Sequence, residues 1–545
     1  MPAQDAAAAG AQRLTQSYWP ADTSEPLLET TVGDALRLSA ARWPTRDALV
    51  FGTPDPTTRR RWTFAALLAD AERVARTLLG RFQPGEHVAV WAPNCPEWVL
   101  LEFGAALAGL TLVTVNPAYL AAELTYVLRQ SQAVGLFVAP EYRGRSLLTV
   151  AQEAGGDLPL LREVVSLADW NAFVEVGDLH QALPRVSPDD VAQIQYTSGT
   201  TGFPKGALLH HRGLTNNGRL YARRIGGSAS DVWLNVMPLF HTAGCVLVTL
   251  GALQVGATHV LLPGFDPGLM LELAETERAT NFGGVPTMLV ALLEHPDFGR
   301  RDLSSLRSVG TGGAPVPVEL MRRIEATLGV PVNIGYGQTE ASPYITHTRL
   351  DDDEADRLGT VGRPLPQTEV KIVDPATGET VPTGTVGEVC TRGYLVMRGY
   401  FDDPEATAAA IDDDGWLHTG DLGLMDARGY CRIEGRLKEM IIQGGENIYP
   451  REIEAVLFAH PAVGDVAVVG IPDQRWGEVV AAFVRPAPGE TPTEADLFAY
   501  CRQQLASYKT PRLWRFVEQF PQTASGKIQK FVLREQVVRE LRLGE

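Results

Sequence analysis

The chemistry of this chain is most concentrated in eleven residues, 196–206. Tyr-Thr-Ser-Gly-Thr-Thr-Gly-Phe-Pro-Lys-Gly supplies three glycines, four Ser/Thr hydroxyls and one lysine. Glycine lets successive backbone N–H groups turn inward and removes side chains that would hold an anion away. Thr197, Ser198, Thr200 and Thr201 add donors, Gly199 and Gly202 allow close approach, and Lys205 adds charge, so the stretch predicts a phosphate cradle. A flexible linker has a similar composition. The flanks, however, alternate like strands, Val-Ala-Gln-Ile-Gln-Tyr over 191–196 and Gly-Ala-Leu-Leu-His over 206–210, which clamps the loop at both ends. The P-loop of nucleoside triphosphatases fits poorly: Pro204 stands where it needs glycine before the lysine, and Gly206 where it needs a magnesium-binding Ser or Thr.

The elements around such a loop must hold it against a substrate. At 545 residues the chain predicts at least two domains. A 45% hydrophobic, 21% charged composition is globular rather than disordered. A net charge of −17 repels polyanions, so nucleic acid and anionic membrane are not expected partners and any phosphate site must be locally positive. The five cysteines are far apart and form no CxxC pair, and the first residues lack a basic segment before the alanine run; both predict a cytoplasmic protein. The long uncharged stretches 103–122 and 232–265 are broken by Gly, Asn, Gln and Pro, and predict buried helix and strand rather than a transmembrane segment.

From about Thr31 helical and strand patterns alternate, with a helix over 32–42, a strand over 87–91, a helix over 96–107 and further strands over 135–139, 259–262 and 308–310. After Gly362, short alternating segments at 370–373, 387–390 and 430–433, parted by Gly, Pro and Asp, predict an antiparallel barrel-like subdomain. Beyond Gly435 follows a separate α/β piece of helices at 450–458 and 493–505 and strands at 465–469 and 479–484. The fold class is α/β, multi-domain: a large domain over 1–435 of layered α/β subdomains plus the barrel-like one, and a small domain over 436–545.

Four further segments carry chemistry: Tyr-Gly-Gln-Thr-Glu at 336–340, Thr-Gly-Asp at 419–421, the run from Gly435 to Pro450, and Pro-Gln-Thr-Ala-Ser-Gly-Lys at 521–527. In this order, with the opening loop, they resemble the adenylate-forming superfamily of acyl-CoA synthetases, adenylation domains and luciferases, over roughly residues 30–540. The resemblance implies that ATP, Mg2+ and coenzyme A are used to activate a small-molecule carboxylic acid. Thr197, Ser198, Gly199, Thr200, Thr201, Gly202 and Lys205 would grip the β and γ phosphates. Thr339 would bond the α-phosphate, Glu340 would ligate magnesium, and Asp421 with Arg436 would hold the ribose. Gly312, Gly313, Ala314, Tyr336 and Gly337 would cradle adenine. Lys527 would stabilise charge at the reacting phosphate, a role suited to a point charge on a flexible stem.

Lys438 falls at the family's hinge, which implies a mobile small domain that brings Lys527 to the site in one pose and, in the other, presents Gly444, Gly445, Glu446 and Asn447 to coenzyme A. His241, Thr242 and Gly244 match the segment flanking the acyl group. Because a carboxylate is already ionised at neutral pH, His241 is read as a positioning or gating group. The apolar run 245–250 is consistent with an aliphatic tunnel and equally with a core helix. The stretch 368–378 and the block 444–450 look most like the medium-chain fatty-acyl-CoA ligases, so the expected substrate is a fatty acid of medium or longer chain. The alternatives are an acyl-AMP ligase that loads a carrier protein, a ligase of aryl or other acids, and a noncatalytic nucleotide-binding module; the last is expected to lack Lys527 or Glu340, and both are present.

Overall fold

The computed structural model describes residues 13–155, 158–175, 180–197, 204–314, 316–444, 446–523 and 527–543. The helix–strand alternation of the first 360 residues folds into two sheets. One orders six strands as Lys205–His210, Val191–Thr197, Thr111–Val115, His87–Trp91, Gly135–Val138 and Glu163–Ser166. Its neighbours run parallel except the first pair, an antiparallel hairpin; so short a connection cannot make the crossover that a parallel pair needs. The other has nine strands. At its centre Thr258–Leu261, Val232–Asn235, Asn281–Gly284, Ser308–Gly312 and Val332–Gly337 run parallel, and Tyr344–His347 turns back antiparallel on the last.

Helix Pro96–Ala108 is buried along its whole length. A helix apolar on every face needs partners on every face, and it packs against helices Val32–Arg42 and Phe64–Leu79. The second of these starts at Thr63, whose hydroxyl accepts the Ala66 N–H at 3.2 Å. Close approach depends on Gly104: a Cβ there would stand 2.5 Å from Val74. The stretch 232–265 supplies two strands and, between them, the π-helix Ala243–Leu250. Cys245, Val246, Leu247 and Leu250 of that helix are buried in core, whereas Val248 only borders it, so the core-helix reading of 245–250 holds for these four.

The segments expected after Gly362 form a five-stranded antiparallel sheet in the order Tyr18–Trp19, Thr368–Val373, Gly387–Gly393, Leu417–Met425, Cys431–Arg436. Its first and last strands do not pair with each other, so the barrel-like unit is open. The turn Leu437–Glu439 follows, and then a second unit built on the long antiparallel pair Val463–Asp473 and Gly477–Pro486, with Leu513–Phe516 added parallel to the latter and with its own apolar clusters. Helix Glu494–Gln504 of this unit begins with a capping box of Thr493 and Asp496. Among the described residues no helix is long and apolar enough to cross a membrane.

Candidate functional site

The sequence motifs converge at the C-terminal ends of the parallel strands, where open α/β sheets bind ligands. Thr197 and Lys205 are the closing pair of the hairpin. The predicted phosphate residues Ser198, Gly199, Thr200, Thr201 and Gly202 lie outside the described residues, as do Gly445 and the Ser525 and Gly526 that precede Lys527. The hairpin is braced by the chain at 398–401: Phe401 donates its N–H to Gly206 at 2.8 Å and Leu208 donates to Gly399 at 2.9 Å. This bracing carries Tyr400 into the site. Its hydroxyl donates to Glu340 Oε1 at 2.8 Å, and Lys205 Nζ stands 5.0 Å from its ring centroid. Burial and the Glu340 carboxylate push the Tyr400 hydroxyl far above its ordinary pKa, so it stays a donor. Sequence reading missed Tyr400, because an aromatic residue in a Gly-Tyr-Phe turn carries no chemical signature until the hairpin is paired with it.

Glu340 sits in the short turn Thr339–Ala341 that follows strand Val332–Gly337. Its carbonyl accepts the Met397 N–H at 2.9 Å, and the Ser342 hydroxyl donates to the Leu395 carbonyl at 2.7 Å, which fixes the turn against the antiparallel sheet. Gly337 is required here: a Cβ would overlap the carbonyl of Pro343. Thr339 is buried beside it.

Asp421 and Arg436 are register partners on adjacent strands. Arg436 Nε lies 3.4 Å from Asp421 Oδ1, and the Tyr336 hydroxyl donates to Asp421 Oδ2 at 2.9 Å. Burial raises the pKa of Asp421 despite Arg436 and Lys527. Tyr336, expected to present its ring to adenine, thus spends its hydroxyl on orienting the carboxylate predicted to take the ribose.

Lys527 reaches this group from the C-terminal unit. Thr523 N–H donates to its carbonyl at 2.8 Å and its own N–H donates to Thr523 Oγ1 at 3.1 Å, which closes the turn that projects it. Its Cε would be 3.7 Å from a Cβ placed at Gly313, at the end of strand Ser308–Gly312, with Ala314 following. Burial and Arg436 lower its pKa while Asp421 and Glu340 oppose them. His241 feels the same lysine: burial, then the Lys527 charge, lowers it to about 3, so its imidazole is neutral. It lies at the mouth of the π-helix, its Nδ1 accepting the Ala243 N–H at 3.3 Å; Thr242 is buried, and Gly244 packs where a Cβ would overlap the Pro238 carbonyl. Lys527, Asp421, Arg436, Glu340, Gly313 and His241 therefore come together. Glu446 and Asn447 do not; they are exposed on an edge strand of the C-terminal sheet beside the positive-φ Gly444, and Lys438 lies in the turn between the two units.

The donor set suits a triphosphate nucleotide beside a carboxylic acid. The profile of the AMP-binding enzyme family matches residues 36–401. The chain belongs to this family. The profile of the C-terminal domain of AMP-binding enzymes matches residues 452–527 in addition. A Bacillus subtilis protein described as an acyl-CoA synthetase, YngI, is 43% identical over 95% of this chain and 99% of its own length. The medium-chain acyl-CoA ligase ACSF2 of Danio rerio is 38% identical over 97% of this chain and 92% of its own. MatB of Rhodopseudomonas palustris, 31% identical over 93% of this chain and 99% of its own, superposes with a TM-score of 0.84 in its ATP-bound crystal structure and 0.76 in its apo structure. This member of the AMP-binding enzyme family is an enzyme, an acid–thiol ligase that works through an acyl-adenylate.

Proposed function

We propose that this protein joins a medium-chain fatty acid to coenzyme A in two half-reactions at the site above. In the first, a carboxylate oxygen of the acid attacks the α-phosphorus of ATP and the bond to pyrophosphate breaks. In the second, the coenzyme A thiol attacks the acyl carbon and AMP leaves. The observation that carries this reading is Lys527, brought from the C-terminal unit to within reach of Gly313 and in the field of Asp421, Glu340 and Arg436. A lysine ammonium placed there meets negative charge as it develops on the α-phosphate. Asp421 would accept the ribose hydroxyls, Thr339 would donate to the α-phosphate, and Lys205 with the hairpin loop would hold the departing pyrophosphate.

Magnesium fits Glu340. The carboxylate is a hard ligand of the kind that ion prefers; Tyr400 bonds one oxygen, and no described residue hydrogen-bonds the other. Bound there, the ion would neutralise charge on the polyphosphate. Tyr400→Phe keeps the ring over Lys205 and removes only the bond to Glu340. About a tenfold rise in KM for magnesium–ATP is expected, with kcat within about threefold, in acid-dependent pyrophosphate exchange; an unchanged KM would assign the bond to structure alone.

The closer superposition on ATP-bound than on apo MatB supports an adenylation pose. Lys438, in the turn after the last strand of the antiparallel sheet, would be the hinge for a second pose that serves coenzyme A through Gly444, Gly445, Glu446 and Asn447, with the boundary between large and small domains at about 435. Five free cysteines support a reducing, cytoplasmic setting. The decisive test is a panel of acids, short to long and aryl, with coenzyme A-dependent AMP release as readout. Octanoate and its neighbours are expected to lead the panel; activity confined to aryl acids would remove the fatty-acid reading.

A further inference from the structure

The large sheet carries a strip of glycines that runs inward from the site, covered at Gly335 by the Tyr344 ring, whose Cζ a Cβ placed there would overlap. Gly283, Gly310 and Asn333 are neighbours across three strands, and Gly312 and Gly335 form the next row toward Gly313 and Lys527. A strand advances about 3.3 Å per residue, so Gly310 lies roughly 7 Å deeper than Gly312. An apolar tunnel would be lined with aliphatic side chains at that depth. This strip instead gathers polar atoms from three elements. A Cβ at Gly310 would stand 3.3 Å from Asn333 Oδ1 and 3.7 Å from the Tyr221 hydroxyl, and a Cβ at Gly312 would stand 3.2 Å from the Tyr344 hydroxyl. Tyr221, Tyr344 and His347 form one aromatic cluster, with centroids 5.1–5.4 Å apart.

Several of these groups lack partners. Asn333 is 0% exposed, and neither its Nδ2 nor its Oδ1 has a hydrogen bond; His347 Nε2 is likewise buried and unpartnered, while its Nδ1 is engaged with the Thr348 carbonyl at 2.6 Å. A buried amide left unsatisfied on both atoms costs stability, and such groups in native proteins mark a bound molecule or a function. Resting on the acyl-ligase reading above, we propose that this strip is the far end of the acyl pocket and that it binds a neutral hydroxyl or keto oxygen carried on the acyl chain of the substrate. A hydroxyl offers both a donor and an acceptor, matching Asn333 and the Tyr221 hydroxyl. A charged end group is disfavoured. Burial holds His347 neutral, and the neighbouring Arg224 spends its guanidinium on the carbonyls of His347, Arg363 and Pro364.

The test compares octanoate with its hydroxy and keto isomers, substituted at successive carbons, in acid-dependent ATP–pyrophosphate exchange with the full-length protein. At least one substituted isomer is expected to exceed octanoate in kcat/KM by about tenfold or more, since a pocket built to hydrogen-bond an oxygen discriminates against the acid lacking it. Tyr221→Phe removes a single oxygen from a packed ring, and Asn333→Leu replaces the amide with an apolar group of similar size. Each is expected to cut the isomer's advantage over octanoate about tenfold. Octanoate matching every isomer in the wild type, or Tyr221→Phe leaving the preference intact, overturns the inference. Exchange with no acid at all would instead overturn the ligase reading, so the two failures are distinguishable.

Discussion

Lys527→Ala is expected to abolish acyl-adenylate formation and to spare the second half-reaction. Pyrophosphate exchange driven by the acid should fall by about 10²–10³-fold, the loss seen when one preorganised group facing developing charge is removed. Conversion of supplied acyl-adenylate to the thioester should remain within about threefold of wild type. The separation follows from where the lysine sits. It enters from a turn of the C-terminal unit, held by Thr523, and its Cε reaches Gly313 at the end of strand Ser308–Gly312. Removing its side chain beyond Cβ therefore deletes a charge without unpacking a core. Burial and Arg436 disfavour its charged form, and Asp421 and Glu340 oppose them. Lys527→Arg is expected to restore little, because the forked guanidinium is larger and does not reproduce a point charge. Equal loss of both half-reactions would sink the two-pose assignment.

The residues legible in the sequence are those whose chemistry is written within a few positions. The glycines and hydroxyls around Lys205, the carboxylate of Glu340 and the Ser-Gly-Lys ending in Lys527 announce themselves, because each motif holds its own backbone geometry and its own charge. The alternation of helix and strand was legible for the same reason: burial on both faces leaves apolar runs at 87–91 and 135–138, and a wholly buried helix leaves one at 96–108. What was hidden depends on register. Tyr400 becomes part of the site only because Ala207 bridges to it beside the hairpin, and Asn333 becomes conspicuous only when Gly310 is placed opposite it. Tyr336 was legible as a site residue, yet its bond to Asp421 spans 85 positions of sequence and could not be read from either motif. The π-helical winding of 243–250 was invisible too, since a hydrophobic run has the same composition in any helix.

Asp421→Asn is the substitution for which stability and activity are expected to move in opposite directions. The carboxylate is 7% exposed, with Tyr336 on one oxygen and Arg436 near the other. Burial raises its pKa above the ordinary 3.8; Arg436, Tyr336 and Lys527 lower it, and Glu439 adds to the rise. With the folded pKa above the unfolded one, the folded state holds the extra proton between those two values, so stability declines as pH rises through that window and stays reduced above it. Asparagine is nearly isosteric and carries no charge, so at pH 7 the variant should melt above wild type, and the gap should close as pH falls below the ordinary carboxylate range. Activity should go the other way. An ionised carboxylate accepts two charge-assisted bonds from a ribose diol, and an amide offers a single acceptor oxygen and a donor the diol does not need. Losing about 3 kcal/mol of such bonding lowers kcat/KM for ATP about 10²-fold. Thermal melting from pH 4 to 8, set beside pyrophosphate exchange over the same range, reads both effects. A variant that melts lower at pH 7 would mean that the Arg436 pair outweighs desolvation and that Asp421 is held for the fold; a variant that melts higher and turns over slowly would mean that the buried charge is kept at a cost to the fold because the nucleotide requires it.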